Sequence, residues 1–429
     1  MFPPEFINEL DADLGRERSQ RVLSALAAEP QVSVRVNPFK LTVETLRAHF
    51  GDLADESVPW AGSEAFYLSR RPSFTLDPLF HAGGYYVQEA SSMYAGQLFD
   101  RAVAALGCPS GLHVLDLCAA PGGKTTQLLS HLDPASLLVA NEVVPARAAV
   151  LSENVARWGC ANVAVTRSDP SAFSALHRFF DVVVADVPCS GEGMFRKDGR
   201  AVEEWSPAAV RHCAARQRRI LSDVWPSLAP GGFLIYSTCT FNRTENEDNT
   251  AWIAEELGAE ILSQRHFYPG EDRGEGFFAA LLRKTGAFEP RPAGPAPVLT
   301  RIERHDRVKW FPAAFLKDLS LLEKSLTVIA SGTAAAVRKG RDLVPDADLA
   351  LSPAACAMPL DGLAFETVDV SRDEALHFLS KDALVFPGRP RGFLLLRCEG
   401  LGLGFVKNLG NRSNNLLPAG RRIRRDLSF

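Results

Sequence analysis

The sequence predicts an α/β protein whose centre is a doubly wound, mostly parallel sheet with helices on both faces. Two observations carry this prediction. Strand and helix patterns alternate from Gly111 to about Phe288, as expected when helices connect parallel strands. Within that region an apolar strand at 112–117 runs into a tight turn of small residues, and a helix begins at Gly123. A strand, a glycine turn and a helix N-terminus in this order make room for a nucleotide-like ligand.

The region before this sheet, residues 1–100, is predicted to be a small α+β module. The apolar spacing is helical over 6–28, alternates as in a strand over 32–36, and is helical again over 41–50. A second strand is predicted over 65–69. The segment 85–93 is predicted to begin a helix that continues into the central region.

The central region, residues 101–288, is predicted to alternate between strands and helices. The predicted strands span 112–117, 137–141, 163–166, 181–185 and 233–236, and the predicted helices span 124–132, 145–158 and 207–225. Pro145 suits the first turn of its helix, because its fixed φ is compatible with a helix and an N–H there would have no partner. The segment 230–232 is predicted as a turn before the last of these strands.

Two further regions follow the sheet. Residues 289–297 are rich in proline and poor in apolar residues, which predicts a linker. We assign 289–360 to this linker and a small connecting region, in which 310–330 has a partly helical pattern. Residues 361–429 are predicted to form a final unit of short strands like those of a small barrel.

The final unit is strongly basic. From Arg391 to Phe429 eight basic side chains face only Glu399 and Asp426, a net charge of +6, although the whole chain has a formal charge of −4. A solvated basic face and a surface that contacts the backbone phosphates of a nucleic acid both explain such a segment. The basic residues are Arg391, Arg397, Lys407, Arg412, Arg421, Arg422, Arg424 and Arg425.

The composition argues against several classes of protein. No apolar run approaches the ~20 residues of a membrane span, and the first residues lack the basic and apolar start of a signal peptide. The eight cysteines are scattered, without a Cys-x-x-Cys pair or a cysteine–histidine cluster, which favours reduced thiols and argues against structural zinc. We therefore expect a cytoplasmic protein without a metal ion or a membrane contact.

The turn after the first central strand has two functional interpretations. Its Gly-Lys-Thr resembles the end of a P-loop, but a P-loop needs glycine where Cys118 stands, and the Ala-Ala-Pro that follows is too compact for a phosphate cradle. The better interpretation is a turn that binds S-adenosylmethionine, with a purely structural turn as the remaining alternative. The candidate donor-binding residues are Cys118, Ala119, Ala120, Pro121, Gly122, Gly123 and Lys124.

Two acidic residues lie where the carboxyl ends of neighbouring strands are predicted. Glu142 ends the second strand about 20 residues after the glycine turn, where a carboxylate can accept hydrogen bonds from ribose hydroxyls. Asp169 follows the next strand and could accept a hydrogen bond from an adenine amino group. Each could instead be an ordinary surface charge.

Three further residues indicate the chemistry. Asp186 follows the apolar strand at 181–185, Cys189 lies in the loop after it, and Cys239 follows the strand at 233–236, so all three are expected at the carboxyl edge where such sheets bind ligands. A cysteine near a strand end is most often a small buried hydrophobic residue. Two cysteines at the ligand edge, each among polar or turn residues, favour a reactive role instead.

A methyl donor and a thiol together suit methylation of carbon 5 of a pyrimidine. That carbon is a weak nucleophile until a thiolate adds to carbon 6 and makes it an enamine carbon, so covalent catalysis divides one difficult step into two easier ones. A carboxyl group can hydrogen-bond the pairing edge of the base as charge builds there. A second group must help to remove the carbon 5 proton and release the thiol. Asp186, Cys189 and Cys239 can fill these roles.

Several short motifs together resemble a known family. They are Arg35-Val-Asn-Pro38, Tyr86-Val-Gln-Glu-Ala-Ser-Ser-Met93, Asp116-Leu-Cys-Ala-Ala-Pro-Gly-Gly-Lys124, Asp186-Val-Pro-Cys-Ser-Gly-Glu-Gly-Met194 and Ser237-Thr-Cys-Thr240. The combination resembles the RsmF-type bacterial members of the Nop/Sun (RsmB/Nop) family of RNA cytosine-5 methyltransferases. The resemblance covers residues 1 to about 285, and 290–360 match only loosely. The motifs that begin at Gly402 and Asn415 resemble the PUA-like end of the RsmF branch.

The resemblance implies a Rossmann-like class I methyltransferase core between an RNA-binding N-terminal module and a PUA-like RNA-binding domain. It implies S-adenosylmethionine as donor, bound by 118–124 with Glu142, Asp169 and Asp186. It further implies Cys239 as the nucleophile and Cys189 as the residue that resolves the covalent product. Val187 stands where the family usually has alanine.

The resemblance also implies a substrate. RsmF-like enzymes modify cytosine in small-subunit (16S) ribosomal RNA, so ribosomal RNA or the assembled small subunit is the expected partner of a monomeric enzyme. The target cytosine must be flipped or single-stranded, because carbon 6 cannot be attacked within a stacked helix. A transfer RNA methyltransferase, a non-catalytic ribosome-assembly factor and a P-loop NTPase remain as alternatives. A non-catalytic factor would need neither the two cysteines nor Asp186.

Overall fold

A computed structural model describes residues 2–291 and 298–424 of the chain. Most of the predicted linker, residues 292–297, lies outside the described residues, as do Arg425 and Asp426 of the basic segment. No helix in the described part of the chain is long and apolar enough to cross a bilayer.

The N-terminal module contains a four-stranded sheet in the order β2-β3-β1-β4. Its elements are α1 (Pro4–Leu14), α2 (Arg16–Leu26), β1 (Val32–Val36), α3 (Val43–Phe50), β2 (Ala54–Ser57), β3 (Ala65–Leu68), α4 (Pro78–His81) and β4 (Tyr85–Val87). The single helix predicted over 6–28 is two helices, α1 and α2. Gly15, which lies between them, has a φ of 76° that is incompatible with a continuous helix.

The helix predicted to begin within 85–93 is wrong. Tyr85–Val87 form β4, an edge strand that pairs antiparallel with β1, and the helix begins only at Tyr94. Two tyrosines and a valine favour an extended conformation, and pairing with β1 settles the competition between strand and helix. This strand matters because it carries Tyr86 and Val87 to a cavity at the carboxyl edge of the central sheet.

The central region is the predicted doubly wound sheet, which is confirmed. Its elements are α5 (Tyr94–Leu106), β5 (His113–Asp116), α6 (Gly123–His131), β6 (Leu137–Asn141), α7 (Pro145–Trp158), β7 (Val163–Thr166), β8 (Phe180–Asp186), α8 (Gly199–Glu204), α9 (Pro207–Val224), β9 (Leu228–Thr238), α10 (Glu247–Glu256), β10 (Ala259–Phe267) and β11 (Phe277–Lys284). The strand order is β10-β11-β9-β8-β5-β6-β7, with one further strand beside β7. Strands β5 to β9 are parallel, and β10 and β11 are antiparallel additions.

This order places a ligand crevice at the end of β5. The strand lies between β6 and β8, so the chain order reverses on either side of it. In such sheets the loops diverge at the carboxyl ends of the strands where the order reverses, and ligands bind in the gap. The predicted turn at 230–232 lies inside β9, where the pairing with β8 shifts between Phe180 and Val182.

Residues 298–360 are more structured than the connecting region that we assigned from the sequence. They contain β12 (Leu299–Arg304), β13 (Arg307–Pro312), α11 (Leu316–Ser325), β14 (Val328–Ser331), β15 (Thr333–Lys339), β16 (Asp342–Pro345), α12 (Ala347–Leu351) and α13 (Pro353–Cys356). Four of the strands form a sheet in the order β12-β13-β15-β16. Strand β14 instead pairs antiparallel with β7 and is the eighth strand of the central sheet.

The final region consists of short strands, as predicted. They are β17 (Phe365–Asp369), β18 (Gly392–Cys398), β19 (Leu401–Asn408) and β20 (Ser413–Asn415), with α14 (Arg372–Leu379) between the first two. The strands form one sheet in chain order, in which β17 and β18 are parallel and the other pairs are antiparallel.

The first and last regions of the chain share one hydrophobic core. Side chains from the N-terminal sheet and its helices pack with side chains from α14, β18 and β19. The shared core includes Val34, Leu46 and Tyr85 from the first region and Phe378, Leu401 and Val406 from the last, and all six are buried. The final region is therefore packed onto the N-terminal module.

Candidate functional site

The turn between β5 and α6 forms one wall of the site. Gly122 has a φ of 112°, a left-handed conformation that a residue with a side chain rarely adopts, and α6 begins at the next residue as predicted. The fully buried Asp116 carboxylate at the end of β5 accepts a hydrogen bond of 2.6 Å from the Thr125 hydroxyl. Its other oxygen, Oδ1, is buried without a hydrogen-bond partner among the described residues. Burial raises the pKa of Asp116 to about 7.

An ion pair connects this turn to the neighbouring strand. Nζ of Lys124 lies 2.9 Å from Oδ2 of Asp186, and the Ser237 hydroxyl donates a hydrogen bond of 2.7 Å to Oδ1 of the same carboxylate. Burial opposes the charge on Lys124, but the Asp186 carboxylate outweighs it, and the pKa of Lys124 is raised above its ordinary value. The arrangement fixes a cation and an anion side by side at the carboxyl edge of the sheet.

The two predicted cysteines lie in contact. Their Sγ atoms are 3.2 Å apart. Strands β8 and β9 are parallel neighbours in which Asp186 is paired with Ser237, and Cys189 and Cys239 lie three and two residues after this pair. The hydrogen bond with Cys239 and burial raise the pKa of Cys189 well above its ordinary value. Cys189 therefore keeps its proton at neutral pH, and its S–H lies within donating distance of Sγ of Cys239.

Two buried carboxylates hold the cysteine loops together. Glu245 accepts hydrogen bonds from the backbone N–H of Ser190, from Gln217 at 2.6 Å and from Asn242 at 2.9 Å. Burial raises the pKa of Glu245 above its ordinary value. Because Ser190 follows Cys189 and Asn242 lies three residues after Cys239, this carboxylate links both loops.

Glu192 is the second of these carboxylates. Its Oε2 accepts the backbone N–H groups of Phe241 and Asn242 at 2.7 and 3.0 Å, and its Oε1 accepts the indole N–H of Trp205 at 2.9 Å. The loop after β8 is thereby fastened to the loop after β9. Neither carboxylate was singled out from the sequence, because loop residues show no periodicity. The two backbone groups that Glu192 binds in the Cys239 loop are also 49 and 50 residues away in sequence.

These elements surround one cavity of about 340 Å³. Most of the predicted site residues line it: Cys118, Ala119, Ala120, Pro121, Gly123, Lys124, Asp186 and Cys239. The opposite wall was not predicted as part of the site, and it contains Tyr86, Gln88, Met194, Glu275 and Phe277. Nζ of Lys124 lies 5.0 Å from the centre of the Phe277 ring. The turn at 118–124, which we call the donor turn after its predicted role, therefore opens into the same space as the Asp186 carboxylate and the Cys239 thiol.

Four predicted residues do not line this cavity: Gly122, Glu142, Asp169 and Cys189. Gly122 forms the turn behind it, and Cys189 contacts Cys239. Glu142 is buried at the end of β6, where it accepts the backbone N–H of Val144 at 2.9 Å and lies 3.3 Å from the Arg147 guanidinium. It thus lies at the same edge of the sheet as the donor turn.

Asp169 is placed differently. Its side chain is 55% exposed, and its Oδ1 caps the short helix Pro170–Ala175 by accepting the backbone N–H of Ser171. Hydrogen bonding to Ser171 lowers the pKa of this carboxyl below its ordinary value. The capping contact explains the aspartate without a ligand, and its adenine contact stays a prediction.

A buried arginine joins the N-terminal module to the donor turn. Arg35, on β1, is fully buried and donates hydrogen bonds of 2.9 Å to Gln88 and 2.7 Å to the Thr126 hydroxyl on α6. Its guanidinium also lies 4.7 Å from the centre of the Trp158 ring. Burial lowers the pKa of Arg35 to about 10, so that it remains charged at neutral pH. The conformation of the turn and that of the module are therefore coupled.

Comparison with known proteins identifies the family. The family model for 16S rRNA methyltransferase RsmB/F matches residues 103–283, that for the N-terminal domain of 16S rRNA methyltransferase RsmF matches 2–90, and that for the RsmF PUA domain matches 365–423. The chain belongs to the RsmB/F methyltransferase family. The resemblance inferred from the sequence motifs is confirmed, and the PUA-like final domain with it.

Individual relatives agree with this assignment. Ribosomal RNA small subunit methyltransferase F of Cronobacter sakazakii is 38% identical over 289 residues, or 61% of this chain and 58% of the relative. The protein of the same name from Escherichia fergusonii is 37% identical over 326 residues, or 69% of this chain and 65% of the relative. The chain therefore spans less than two thirds of the length of these curated relatives.

A solved structure supports the fold of about two thirds of the chain. A methyltransferase homolog protein from Pyrococcus horikoshii is 30% identical, with a TM-score of 0.56, and the match covers 66% of this chain and 99% of that one. The Rossmann-like methyltransferase core is confirmed. Membership of the RsmB/F family rules out the P-loop NTPase that the sequence had left as an alternative.

Proposed function

We propose that the protein methylates carbon 5 of cytosine in small-subunit ribosomal RNA, with S-adenosylmethionine as donor and a covalent intermediate on Cys239. The observation that carries this proposal is the pair of cysteines in contact at the ends of two adjacent parallel strands, of which Cys239 lines the same cavity as the glycine turn. A protein that only bound RNA would need neither thiol.

The residues at the turn suit S-adenosylmethionine. The unsatisfied Oδ1 of Asp116 is an acceptor with no partner among the described residues, as expected where a ligand donor completes the site. Gly122 and Gly123 bring the backbone within reach, and Glu142 offers a carboxylate for ribose hydroxyls at the neighbouring strand end. The donor supplies an electrophilic methyl group, and 118–124 with Asp116, Glu142, Asp169 and Asp186 would hold it.

The first step is the addition of the Cys239 thiolate to carbon 6 of the base. The new S–C6 bond moves the electrons of the C5–C6 double bond to carbon 5, which could then accept the electrophilic methyl group that a donor held by 118–124 would supply. The thiol contact helps before the addition, because the S–H of Cys189 can donate to the Cys239 thiolate and so favour its formation.

The second step releases the product. A base removes the proton from carbon 5, the C5–C6 double bond forms again, and the Cys239 thiolate is expelled. Cys189 is the group that we assign to this release, since it lies 3.2 Å from the sulfur that must leave. The Lys124–Asp186 pair presents a donor and an acceptor to the pairing edge of the base, where charge changes during both steps.

The RNA substrate is supported by the relatives. Both curated relatives are named as ribosomal RNA small subunit methyltransferases, and residues 365–423 match a PUA domain from a methyltransferase of that kind. The cytosine must leave its stack to reach Cys239.

The test is transfer of labelled methyl from S-adenosylmethionine to unmodified small ribosomal subunits, naked ribosomal RNA and transfer RNA, with the product located by bisulfite sequencing. The proposal predicts a protected cytosine in small-subunit ribosomal RNA. Methylation of transfer RNA alone would keep the chemistry and overturn the substrate. Donor binding without methyl transfer to any of the three would favour a non-catalytic assembly factor.

A further inference from the structure

A second and larger groove meets the catalytic cavity. Its volume is about 850 Å³, and it shares Val87, Gln88, Glu89 and Lys197 with the lining of the cavity. The two spaces therefore meet along the segment that follows β4 and at Lys197. Whatever occupies this groove lies next to the base in the cavity.

The floor of the groove is one end of the N-terminal sheet. Strand β1 pairs antiparallel with both β3 and β4, in registers that match Val32 with Leu68 and Val34 with Val87. The start of β1 and the ends of β3 and β4 consequently lie side by side, and they line the groove. This sheet, which is fastened to the donor turn by Arg35, provides a rigid support.

Two arginines on this floor have no ion-pair or hydrogen-bond partner among the described residues. Arg70 and Arg71 follow β3, both are exposed, and neither makes an ion pair or a side-chain hydrogen bond with any residue in 2–291 or 298–424. The Arg71 guanidinium lies 5.2 Å from the centre of the Phe74 ring. In the same module, by contrast, Arg47 donates to the Asp55 carbonyl and the Ser57 hydroxyl.

The remaining charges leave the groove positive. Lys197, at the junction with the cavity, is 28% exposed and lies 3.3 Å from Glu275. Of the two carboxylates that line the groove, Glu89 accepts the backbone N–H groups of Ser91 and Ser92, and Glu29 is exposed. Neither groove carboxylate therefore forms an ion pair with Arg70 or Arg71.

We propose that this groove binds the single-stranded RNA next to the target cytosine, with Arg70 and Arg71 against its phosphates and Lys197 at the point where the strand enters the cavity. The inference rests on the proposed function and adds the path of the strand. A base can reach Cys239 only when it leaves its stack, so its neighbours are held as a single strand. A positive groove that follows the backbone is how proteins hold such strands.

The test is the affinity of a fluorescent single-stranded RNA that contains one cytosine, measured from low to high salt for the wild type and for the double variant Arg70→Gln/Arg71→Gln. Each phosphate contact with a single strand contributes about 0.7 to the slope of log K against log salt. Loss of two contacts should reduce the magnitude of the slope by about 1.4. If the two proteins bind equally at about 1 M salt, this corresponds to roughly a 25-fold loss of affinity at ~0.1 M salt. Donor binding, measured by calorimetry, should not change.

The matched control is Lys339→Gln/Arg341→Gln, which removes two exposed charges from the β15–β16 turn. Wild-type affinity in the control and the predicted loss in the arginine variant support the groove. An unchanged affinity and slope in the arginine variant, or an equal loss in both variants, would overturn it.

A 4-thiouridine beside the cytosine gives an independent readout. It should crosslink to the segment 69–71, identified by mass spectrometry, and crosslinks confined to other segments would contradict the proposed path. All these measurements are made without methyl transfer. A failure of the proposed methylation is therefore seen separately, as a wild type that binds RNA in the groove and does not methylate it.

Discussion

Cys189 and Cys239 are 50 residues apart in sequence and 3.2 Å apart at Sγ. Their contact places the two thiols in different chemical surroundings. The raised pKa of Cys189 keeps that thiol protonated beside Cys239, which is the cysteine that lines the cavity. The residue pattern predicted both cysteines, and the geometry adds a reason for their division of roles.

Replacement of Cys189 should trap the reaction after methylation. In Cys189→Ala we expect a covalent complex of protein and small-subunit RNA that survives denaturing electrophoresis, because the group assigned to release is missing. Turnover should fall by roughly a hundredfold or more. Cys356→Ala is the matched control, since Cys356 is a partly buried cysteine outside the cavity. Free turnover in Cys189→Ala would remove that residue from the mechanism.

The raised pKa of Asp116 leads us to expect that the stability of the protein depends on pH. Its pKa is raised from 3.8 to about 7 in the folded protein, so the folded state holds the proton more tightly than the unfolded chain. The contribution of this residue to stability is therefore lost as the pH rises from about 4 to about 7. Asp116→Asn cannot ionise and lacks this loss.

The expected difference is measurable by urea unfolding without donor. The free energy of unfolding of Asp116→Asn relative to wild type should rise by at most about 4 kcal/mol between the two ends of that pH range. Parallel pH curves for the two proteins would show that the carboxyl is not perturbed by burial.

At the scale of elements, the loops after β8 and β9 act as one unit. Glu245 receives hydrogen bonds from both loops and from Gln217 on α9. The contact between the thiols depends on this arrangement, because neither cysteine lies on a strand. Helix α9 therefore supports the site without lining its cavity.

Glu245→Gln tests this support. The substitution keeps the size of the side chain but replaces one acceptor oxygen with an N–H donor, so at least one of these hydrogen bonds is lost. A displaced cysteine should lower kcat about 10- to 100-fold, with donor affinity and KM nearly unchanged. Glu256→Gln, at the exposed end of α10, is the control. A variant with wild-type kcat would show that the loops hold their positions without this carboxylate.

The central strands could be predicted because each is an apolar run bounded by turn residues, and Asp186 and Cys239 could be placed because parallel strands bring their carboxyl ends to one edge. The strand Tyr85–Val87 could not be predicted, because three residues are too few to show the alternation of a strand. The eighth strand, Val328–Ser331, was missed because its partner β7 lies far away in sequence. Glu192 and Glu245 were missed because tertiary contacts alone give them a role.

At the scale of the whole molecule, the ends of the chain are packed together. The final region shares a buried core with the N-terminal module, and that module is joined to the donor turn through Arg35. The N-terminal module, the final region and the donor turn therefore belong to one continuous packed structure. Two of the basic groups in the final region are paired with carboxylates, Arg397 with Asp369 and Arg421 with Asp348.

The shared core predicts cooperative unfolding. Phe378 on α14 is fully buried in it, and Phe378→Ala should cost about 3–5 kcal/mol. We expect a single thermal transition at a lower temperature, because loss of this packing weakens the N-terminal module as well. Leu316→Ala, at an exposed site on α11, should leave the transition nearly unchanged. Two separate transitions, with only one shifted, would contradict a shared core.

The most direct test of the central claim uses small-subunit RNA that contains 5-fluorocytosine. Fluorine at carbon 5 cannot leave as a proton does, so the covalent intermediate should persist after methyl transfer. With labelled S-adenosylmethionine we predict a stable protein–RNA complex whose crosslinked peptide contains Cys239. The complex should be absent in Cys239→Ala, although that variant still binds the donor. A crosslink to Cys189, or methyl transfer by Cys239→Ala, would contradict the account.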